Sequence, residues 1–277
     1  MVSGRMLLRQ DATQLFLAAM EIDADPIAEL DQFLKACEQA NPRYQGGGDL
    51  VRFQLEADDS KWPSRIRHAT LNLANYLNMC RGEDPLKGGP YDVIIALGGA
   101  RRSPLHRACY AAQAIVDNRT EAKLIVIAGS TRPLVEEEKG QVQDFAEGAL
   151  TEYDLCLGAQ QFVKKRYPDL NIVAVCNDDP RSGNDGVIDK TMAFCATHFG
   201  GAVRVLNLSV AAVTTRIYAQ GLYLDMARAA KRHRWGQFLA AGHASDPEAV
   251  FKRKLAIYLS ECLTTLRKAA LAAAENC

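Results

Sequence analysis

The sequence predicts an α/β protein with a doubly wound, mainly parallel sheet of about five strands, an N-terminal helical addition and a long C-terminal helix. From residue 91 onward, short apolar runs rich in β-branched residues alternate with segments long enough for crossover helices. Strands that are apolar along their whole length are typical of a parallel sheet covered on both faces. The repeated strand-then-helix order indicates parallel crossover connections.

Residues 1–90 are predicted to form a helical region packed on the core, and residues 91–277 to form the α/β domain. In the first region, apolar residues recur at three- and four-residue spacing, as on one face of a helix. The dipeptides Asp25-Pro26 and Pro63-Ser64 are helix start signals, because proline in the first turn gives up an N–H that lacks a partner anyway. The predicted helices cover residues 12–22, 26–39 and 64–79, with a connector loop at 45–48.

The α/β domain follows in a regular order. Its predicted strands cover residues 93–97, 124–128, 172–176, 203–208 and 237–240. Its predicted crossover helices cover residues 104–116, 141–166, 187–199 and 215–233. A final helix at 247–273 is rich in alanine and leucine. We expect it to dock against the body through leucines at helical spacing, namely Leu255, Leu259, Leu263 and Leu266.

Composition and charge exclude several classes of protein. Lysine plus arginine equals aspartate plus glutamate at 33 each, so no net charge attracts nucleic acid or an anionic membrane. No apolar run approaches the roughly 18–20 residues of a membrane span, and the first residues lack the pattern of a secretory signal. The eight cysteines form no CxxC pair and no cluster at zinc spacing, which favours structural thiols. We therefore expect a cytoplasmic protein without nucleic-acid or membrane partners.

The loop after the first strand contains two adjacent glycines and several arginines. In an open parallel sheet the ligand crevice lies outside the carboxyl ends of the strands. Gly98 and Gly99 would let the backbone approach a ligand, and Arg101, Arg102 and Arg107 could bind a phosphate or carboxylate. The alternative is a turn with solvated arginines. The loop matches neither GxGxxG nor GxxxxGK[ST], so it does not predict an ordinary dinucleotide fold or a P-loop enzyme.

The segment after the second strand repeats this composition. Gly129, Ser130 and Arg132 combine a small residue, a hydroxyl and a cation, and a second such loop beside the first favours a shared anion site. Downstream, Thr151 is a predicted helix N-cap, with Asp154 three positions later as in a capping box. Glu152, one of the two residues between them, would then be free to project into the crevice.

Polar residues also follow the remaining strands. Asn177, Asp178 and Asn184 lie in a loop whose oxygens could hold magnesium or position a substrate hydroxyl, although the same residues suit ordinary turns. Thr215-Arg216 is a hydroxyl-arginine helix start that suits an anion or a simple cap. His243 is the histidine predicted at a strand end, which makes it a candidate proton shuttle. A surface-loop histidine is the alternative.

Five short motifs occur in order along the chain: YDVIIALGGARR, KLIVIAGSTRPL, TEYD, DDPRSGND and TTRIYAQGLYL. In this order they resemble the bacterial YdcF/SanA/ElyC-like family of α/β proteins over about residues 91–234. The resemblance implies a polar pocket at the strand ends, with Thr151-Glu152 at the place of the family's Ser-Glu pair. Two features differ from the family: Val213 stands where a histidine precedes Arg216, and the asparagine loop lacks the Thr-x-x-Asn order.

The sequence thus predicts a small-molecule hydrolase or group transferase acting on an anionic, nucleotide-like or phosphorylated compound, since it carries no redox-cofactor signature. One alternative is a non-catalytic sensor for a nucleotide-type ligand such as S-adenosylmethionine. Another is an interaction protein that works through its N-terminal helices. The predicted catalytic residues are Glu152, Asp178 and His243. The predicted ligand-binding residues are Gly98, Gly99, Arg101, Arg102, Gly129, Ser130, Arg132, Asn177, Asn184, Thr215 and Arg216.

Overall fold

The computed structural model describes residues 1–45, 59, 62–80, 85–179, 183–200, 207–243 and 254–275. The chain divides into two compact units. The helical unit comprises Met1–Gly82, Arg216–Asp225 and Asp246–Cys277, and the sheet unit comprises Glu83–Thr215 and Met226–Ser245. The helical unit therefore takes residues from both ends of the chain, whereas the sequence predicts a single boundary at residue 90.

The sheet contains five strands: β1 (Gly88–Leu97), β2 (Thr120–Ser130), β3 (Ile172–Asn177), β4 (Ser209–Thr215) and β5 (Gln237–His243). All neighbouring strands are parallel, in the order β3-β2-β1-β4-β5. The predicted α/β fold class is confirmed. Because the chain runs outward from β1 to β3 and then returns to place β4 beside β1, the switch point of the sheet lies between β1 and β4.

The helices are α1 (Gly4–Leu8), α2 (Asp11–Ala19), α3 (Leu30–Ala40), α4 (Pro42–Gln45), α5 (Ser64–Tyr76), α6 (Ser103–Val116), α7 (Glu136–Lys139), α8 (Glu152–Arg166), α9 (Gly183–His198), α10 (Ala219–His233) and α11 (Leu255–Ala274). Residues 46–48 of the predicted connector and 247–253 of the predicted last helix lie outside the described residues. Within the described ranges, none of these helices combines the length and apolar character that a bilayer crossing requires.

The continuous apolar character of β1 follows from burial on both faces. Successive residues Val93, Ile94 and Ile95 are all fully buried, although their side chains alternate between the two faces of the sheet. On one face, the core of the sheet unit is formed by residues of β1 and β2 together with alanines of α6 and α8. Small alanine side chains let these helices pack close to the strands.

The structure corrects the position of the fourth strand. The sequence predicts it at residues 203–208, of which 203–206 lie outside the described residues, whereas β4 begins at Ser209. The prediction missed β4 because its centre is Ala211-Ala212, and alanine has a weak strand preference. Both alanines are fully buried at the centre of the sheet, where small side chains leave room for a covering helix.

Two helix boundaries are also corrected. The predicted helix at 141–166 is interrupted, since residues 141–150 form turns and α8 begins only at Glu152. The predicted helix at 215–233 begins at Ala219, because Thr215 still pairs with β5 and Arg216–Tyr218 form a 3₁₀ turn. The predicted cap at Thr151 is confirmed: its hydroxyl accepts the N–H of Asp154 at 3.3 Å, and the Asp154 carboxylate accepts the N–H of Thr151 at 2.8 Å.

The helical unit has its own apolar core. The leucines at 255, 259, 263 and 266 are buried as expected, but they pack with N-terminal residues such as Leu7, Phe16 and Phe33. The last helix therefore completes the core of the N-terminal helices.

Buried cysteines lie in both units. Burial raises the pKa of Cys37 and of Cys195 to about 12. These thiols stay protonated at neutral pH and pack as small hydrophobes.

Candidate functional site

The carboxyl ends of all five strands meet at one edge of the sheet, because every neighbouring pair is parallel. At this edge Ser130 of β2 lies opposite Asn177 of β3, and Thr215 of β4 lies opposite His243 of β5. Gly98 follows β1 between them and donates its N–H to Ala128 at 2.6 Å. Strand ends far apart in the sequence are thus brought together, as the sequence predicts.

A hydroxyl, a carboxylate and a guanidinium form a connected group after β2. The Ser130 hydroxyl donates to Glu152 Oε2 at 2.6 Å, and Arg132 Nε donates to Glu152 Oε1 at 3.0 Å. Ser130 Oγ also accepts the backbone N–H of Arg132 at 3.3 Å. The Glu152 side chain is 14% exposed and that of Arg132 27%. The carboxylate of Glu152 is thereby held by a partner on each oxygen.

Glu138 of α7 completes this network from the opposite side of Arg132. Its side chain is fully buried, and its two carboxylate oxygens accept Arg132 Nη2 at 3.0 Å and Nη1 at 3.1 Å. Burial disfavours the charged guanidinium, but the two carboxylates outweigh this effect and raise the pKa of Arg132 above its ordinary value. Arg132 is therefore a fixed cation shared by Glu138 and Glu152, whereas the sequence predicts a ligand contact.

The backbone around the network is pinned by a short antiparallel bridge. Pro133 pairs with Thr151, and the N–H of Glu152 donates to the carbonyl of Arg132 at 3.0 Å. The Thr151 cap then starts α8, which places Glu152 as its first residue. The bridge and the cap together fix Glu152 against the end of β2.

Two of the predicted ligand-binding glycines are required by packing. A side chain at Gly98 would place its Cβ 2.7 Å from the Cα of Gly129. A Cβ at Gly129 would lie 2.5 Å from Cys156 Sγ on α8. The two glycines therefore let β1, β2 and α8 approach closely behind Ser130. This packing explains their presence without a ligand.

Replacing Gly129 with alanine is expected to destabilise the protein by about 1–3 kcal/mol through overpacking. The cause is the clash with Cys156, so the same replacement in a Cys156→Ala background should cost much less. Gly140→Ala is the matched control, because its Cβ would meet no atom closer than 3.9 Å. Denaturant unfolding compares the wild type with Gly129→Ala, Cys156→Ala, their double variant and Gly140→Ala. Equal costs of Gly129→Ala in both backgrounds would contradict this explanation.

Arg107 of α6 lies at the switch point between β1 and β4. It donates to the carbonyl of Leu97 at 2.8 Å, to the carbonyl of Gly98, and to Thr215 Oγ1 at 3.1 Å. The side chain is 6% exposed. Arg107 thus joins the ends of β1 and β4.

Partial desolvation and the charges of Arg102 and Arg107 lower the pKa of His106. The two charges indicate a positive potential at the start of α6.

The loop after β1 holds residues in left-handed backbone conformations. Gly99 has φ +129°, which suits glycine, whereas Arg101 has φ +57°, which is unfavourable for a side chain. Arg101 is half-buried, and its guanidinium makes no hydrogen bond or ion pair with any residue that the structure describes. Arg102, by contrast, is bound by both carboxylate oxygens of Asp144 at 2.7 and 2.8 Å. Arg101 is therefore the cation of this loop that is available to a ligand.

The loop after β3 is partly described, since residues 180–182 lie outside the described residues. The side chain of Asn177 forms a local turn, donating to the carbonyl of Asp179 at 2.9 Å. Asp178 is exposed and pairs with Lys190 at 2.8 Å, which lowers the pKa of Asp178. Asn184 lies in the first turn of α9. No cluster of three or more His, Cys, Asp or Glu side chains able to hold a metal occurs in the described part of the chain.

The remaining predicted residues have different positions. His243 is the last residue of β5, is 3% exposed and contacts Tyr110 with ring centroids 5.6 Å apart and ring planes tilted by 31°. It is therefore a buried histidine of the sheet, not a surface-loop residue. Arg216 is buried, which lowers its pKa, and it belongs to the helical unit. The site described for the sheet unit accordingly does not include Arg216.

The predicted set of site residues lacked Glu138, although it anchors Arg132. Its sequence context, EEEK, is typical of a solvated acidic turn, and carboxylates are rarely buried without a partner. The sequence feature that could have indicated the pairing of Glu138 is Arg132, six residues earlier.

A separate surface cavity of about 610 Å³ lies in the helical unit. It is lined by residues such as Arg9, Leu17 and Asp25 and contains no predicted site residue.

No protein-family model matches the chain, and no curated protein matches it in sequence.

Proposed function

We propose that the protein is a small-molecule hydrolase or group transferase that acts on an anionic, nucleotide-like or phosphorylated compound. The observation that carries this proposal is the 2.6 Å hydrogen bond from the Ser130 hydroxyl to Glu152, whose other oxygen is fixed by Arg132. A nucleophile bound to a base that is itself oriented by a third group is the usual arrangement for covalent catalysis. Membership of the YdcF/SanA/ElyC-like family is part of the same proposal.

In this proposal Glu152 accepts the proton of Ser130 as the serine oxygen attacks the electrophilic centre of the substrate. The bond to the leaving group breaks, and Glu152 donates the proton to that group. The carboxylate then takes a proton from the water or acceptor hydroxyl that attacks the covalent intermediate, and returns it to the serine oxygen as the bond between Ser130 and the transferred group breaks. The 2.6 Å separation lies within hydrogen-bond reach, as a general base requires. Arg132 keeps the carboxylate oriented throughout, and the covalent intermediate is released to water or to an acceptor.

Arg101 is proposed to bind the anionic group of the substrate. Its guanidinium has no charged partner among the described residues, and it lies in the loop after β1, beside the switch point where open α/β sheets bind ligands. Backbone conformations that cost energy, such as φ +57° at this arginine, are concentrated at functional sites. Arg102 and Arg132 are already paired with carboxylates, so the anion contact is assigned to Arg101.

A second function is a non-catalytic sensor for a nucleotide-type ligand such as S-adenosylmethionine. The observation in its favour is the strand order β3-β2-β1-β4-β5 with a glycine pair directly after β1. This order and loop position occur in folds that bind dinucleotides. A sensor would use Gly99 and Arg101 without needing the reactivity of Ser130.

A ligand screen separates the two functions. The probes are inorganic phosphate, AMP, ADP, glucose 6-phosphate and S-adenosylmethionine, each tested for a concentration-dependent rise in melting temperature. Compounds that stabilise the protein are then incubated with it, and products are measured by liquid chromatography and mass spectrometry. We expect stabilisation by a phosphorylated compound, lost in Arg101→Ala, together with product formation. Stabilisation without product would favour the sensor, and stabilisation by no probe would overturn both.

A further inference from the structure

Glu138 occupies an unusual place for an acidic residue. It belongs to the four-residue helix α7, which lies in the connection between β2 and α8, and its side chain is fully buried while its neighbour Glu137 is exposed. The carboxylate accepts both Nη groups of Arg132 and the backbone N–H of Val135 at 3.0 Å. A buried carboxylate with this many partners is held in one orientation.

Glu138 helps to fix the orientation in which Arg132 contacts Glu152. The Nη groups of Arg132 both donate to Glu138, and Nη1 also donates to the carbonyl of Pro133 at 3.0 Å. In the orientation that these bonds fix, Nε is the Arg132 donor that contacts Glu152, and it contacts Oε1 alone. The second oxygen, Oε2, is therefore left to the Ser130 hydroxyl at 2.6 Å. Pairs of arginine with a carboxylate frequently form two parallel hydrogen bonds.

We infer that Glu138 is a positioning residue that reserves Oε2 of Glu152 for Ser130 by holding Arg132 away from it. Without the Glu138 carboxylate, the Nη groups of Arg132 keep only the Pro133 carbonyl as a partner among the described residues, and we expect the guanidinium to turn and bind both oxygens of Glu152. Ser130 then loses its proton acceptor. This role rests on the proposed function, because reserving Oε2 matters for catalysis only if Ser130 transfers its proton to Glu152.

The test is a set of double-mutant cycles that needs no ligand. Ser130→Ala and Glu152→Gln are made singly and together, in the wild-type protein and in Glu138→Gln, and unfolding free energies are measured with denaturant. The coupling between the two positions isolates their interaction from the general stability of each variant. We expect clear coupling in the wild type and its loss in Glu138→Gln. The matched control is Glu137→Gln, which should leave the coupling unchanged.

Each outcome decides the inference. If Glu138→Gln lowers stability but leaves the coupling intact, Glu138 only supports Arg132, and the inference is wrong. It is equally wrong if the wild type shows no coupling. Glu138→Met removes the carboxylate at similar volume and provides the same test should Glu138→Gln not fold. Because the cycles report positioning alone, their failure is distinguishable from a failed ligand screen, which bears on the proposed function.

Discussion

Ser130→Ala and Glu152→Gln are each expected to reduce turnover by about 10²–10⁴-fold, the range that a positioned general base contributes. Both residues belong to one proton-transfer step, so the double variant should be little slower than the slower single variant. The measurement is the steady-state rate with whichever probe of the ligand screen yields product. The two residues lie close together at the end of β2, and their effects should therefore be strongly non-additive.

Ligand binding separates this prediction from simple unfolding. Arg101, the proposed anion contact, is unchanged in both variants, so the affinity measured by thermal shift should stay within a few-fold of the wild type. Glu137→Gln is the control, since Glu137 is an exposed neighbour on α7 and should leave the rate unaltered. Full activity in Ser130→Ala would exclude serine as the nucleophile. Additive effects in the double variant would show that the two residues act in separate steps.

The largest loss of stability is expected for Arg132→Met. The replacement leaves the fully buried Glu138 carboxylate without its cation, and breaking a buried pair in this way costs about 3–5 kcal/mol. Since Arg132 is itself 27% exposed, the lower end of this range is the expected value. Denaturant unfolding of the purified variant measures the loss.

The double variant Arg132→Met with Glu138→Met tests the cause of that loss. Apolar residues of similar volume can replace a buried ion pair at little cost, so the double variant should recover most of the stability lost in Arg132→Met. Equal instability of the single and double variants would mean that the arginine stabilises the protein through other contacts. Asp144→Asn is a suitable comparison, because it breaks the largely exposed pair with Arg102 and should cost much less stability than Arg132→Met.

Local patterns in the sequence were sufficient for the fold class and for the helix cap. The continuous apolar runs at β1 and β2 predicted buried parallel strands, and Thr151 with Asp154 predicted the N-cap of α8, although the helix itself was predicted to begin at residue 141. Both signals depend on neighbours in the sequence. The same local rules failed at β4, because the alanines at its centre fit a crowded sheet that only the folded chain provides.

The site was predictable in position but only partly in role. Parallel strands bring Ser130 and Asn177 to one edge whatever their order, so the convergence followed from the fold class. The pairing of Arg132 with Glu138 depends on the path that the chain takes through α7. The exclusion of a side chain at Gly98 depends on the close approach of β1 and β2. Such contacts are set by tertiary structure. The loop sequences alone do not reveal which arginine is already paired with a carboxylate.

The composition of the helical unit has a consequence for how the protein is made. Phe16 and Phe33 share their core with Leu259 and Leu263, residues that are synthesised more than 200 positions later. Until the last helix has been synthesised, the N-terminal helices expose the apolar faces that it covers in the folded protein. Exposed apolar faces favour aggregation during synthesis. We therefore expect chaperones to bind mainly those nascent chains that have not yet reached residue 255.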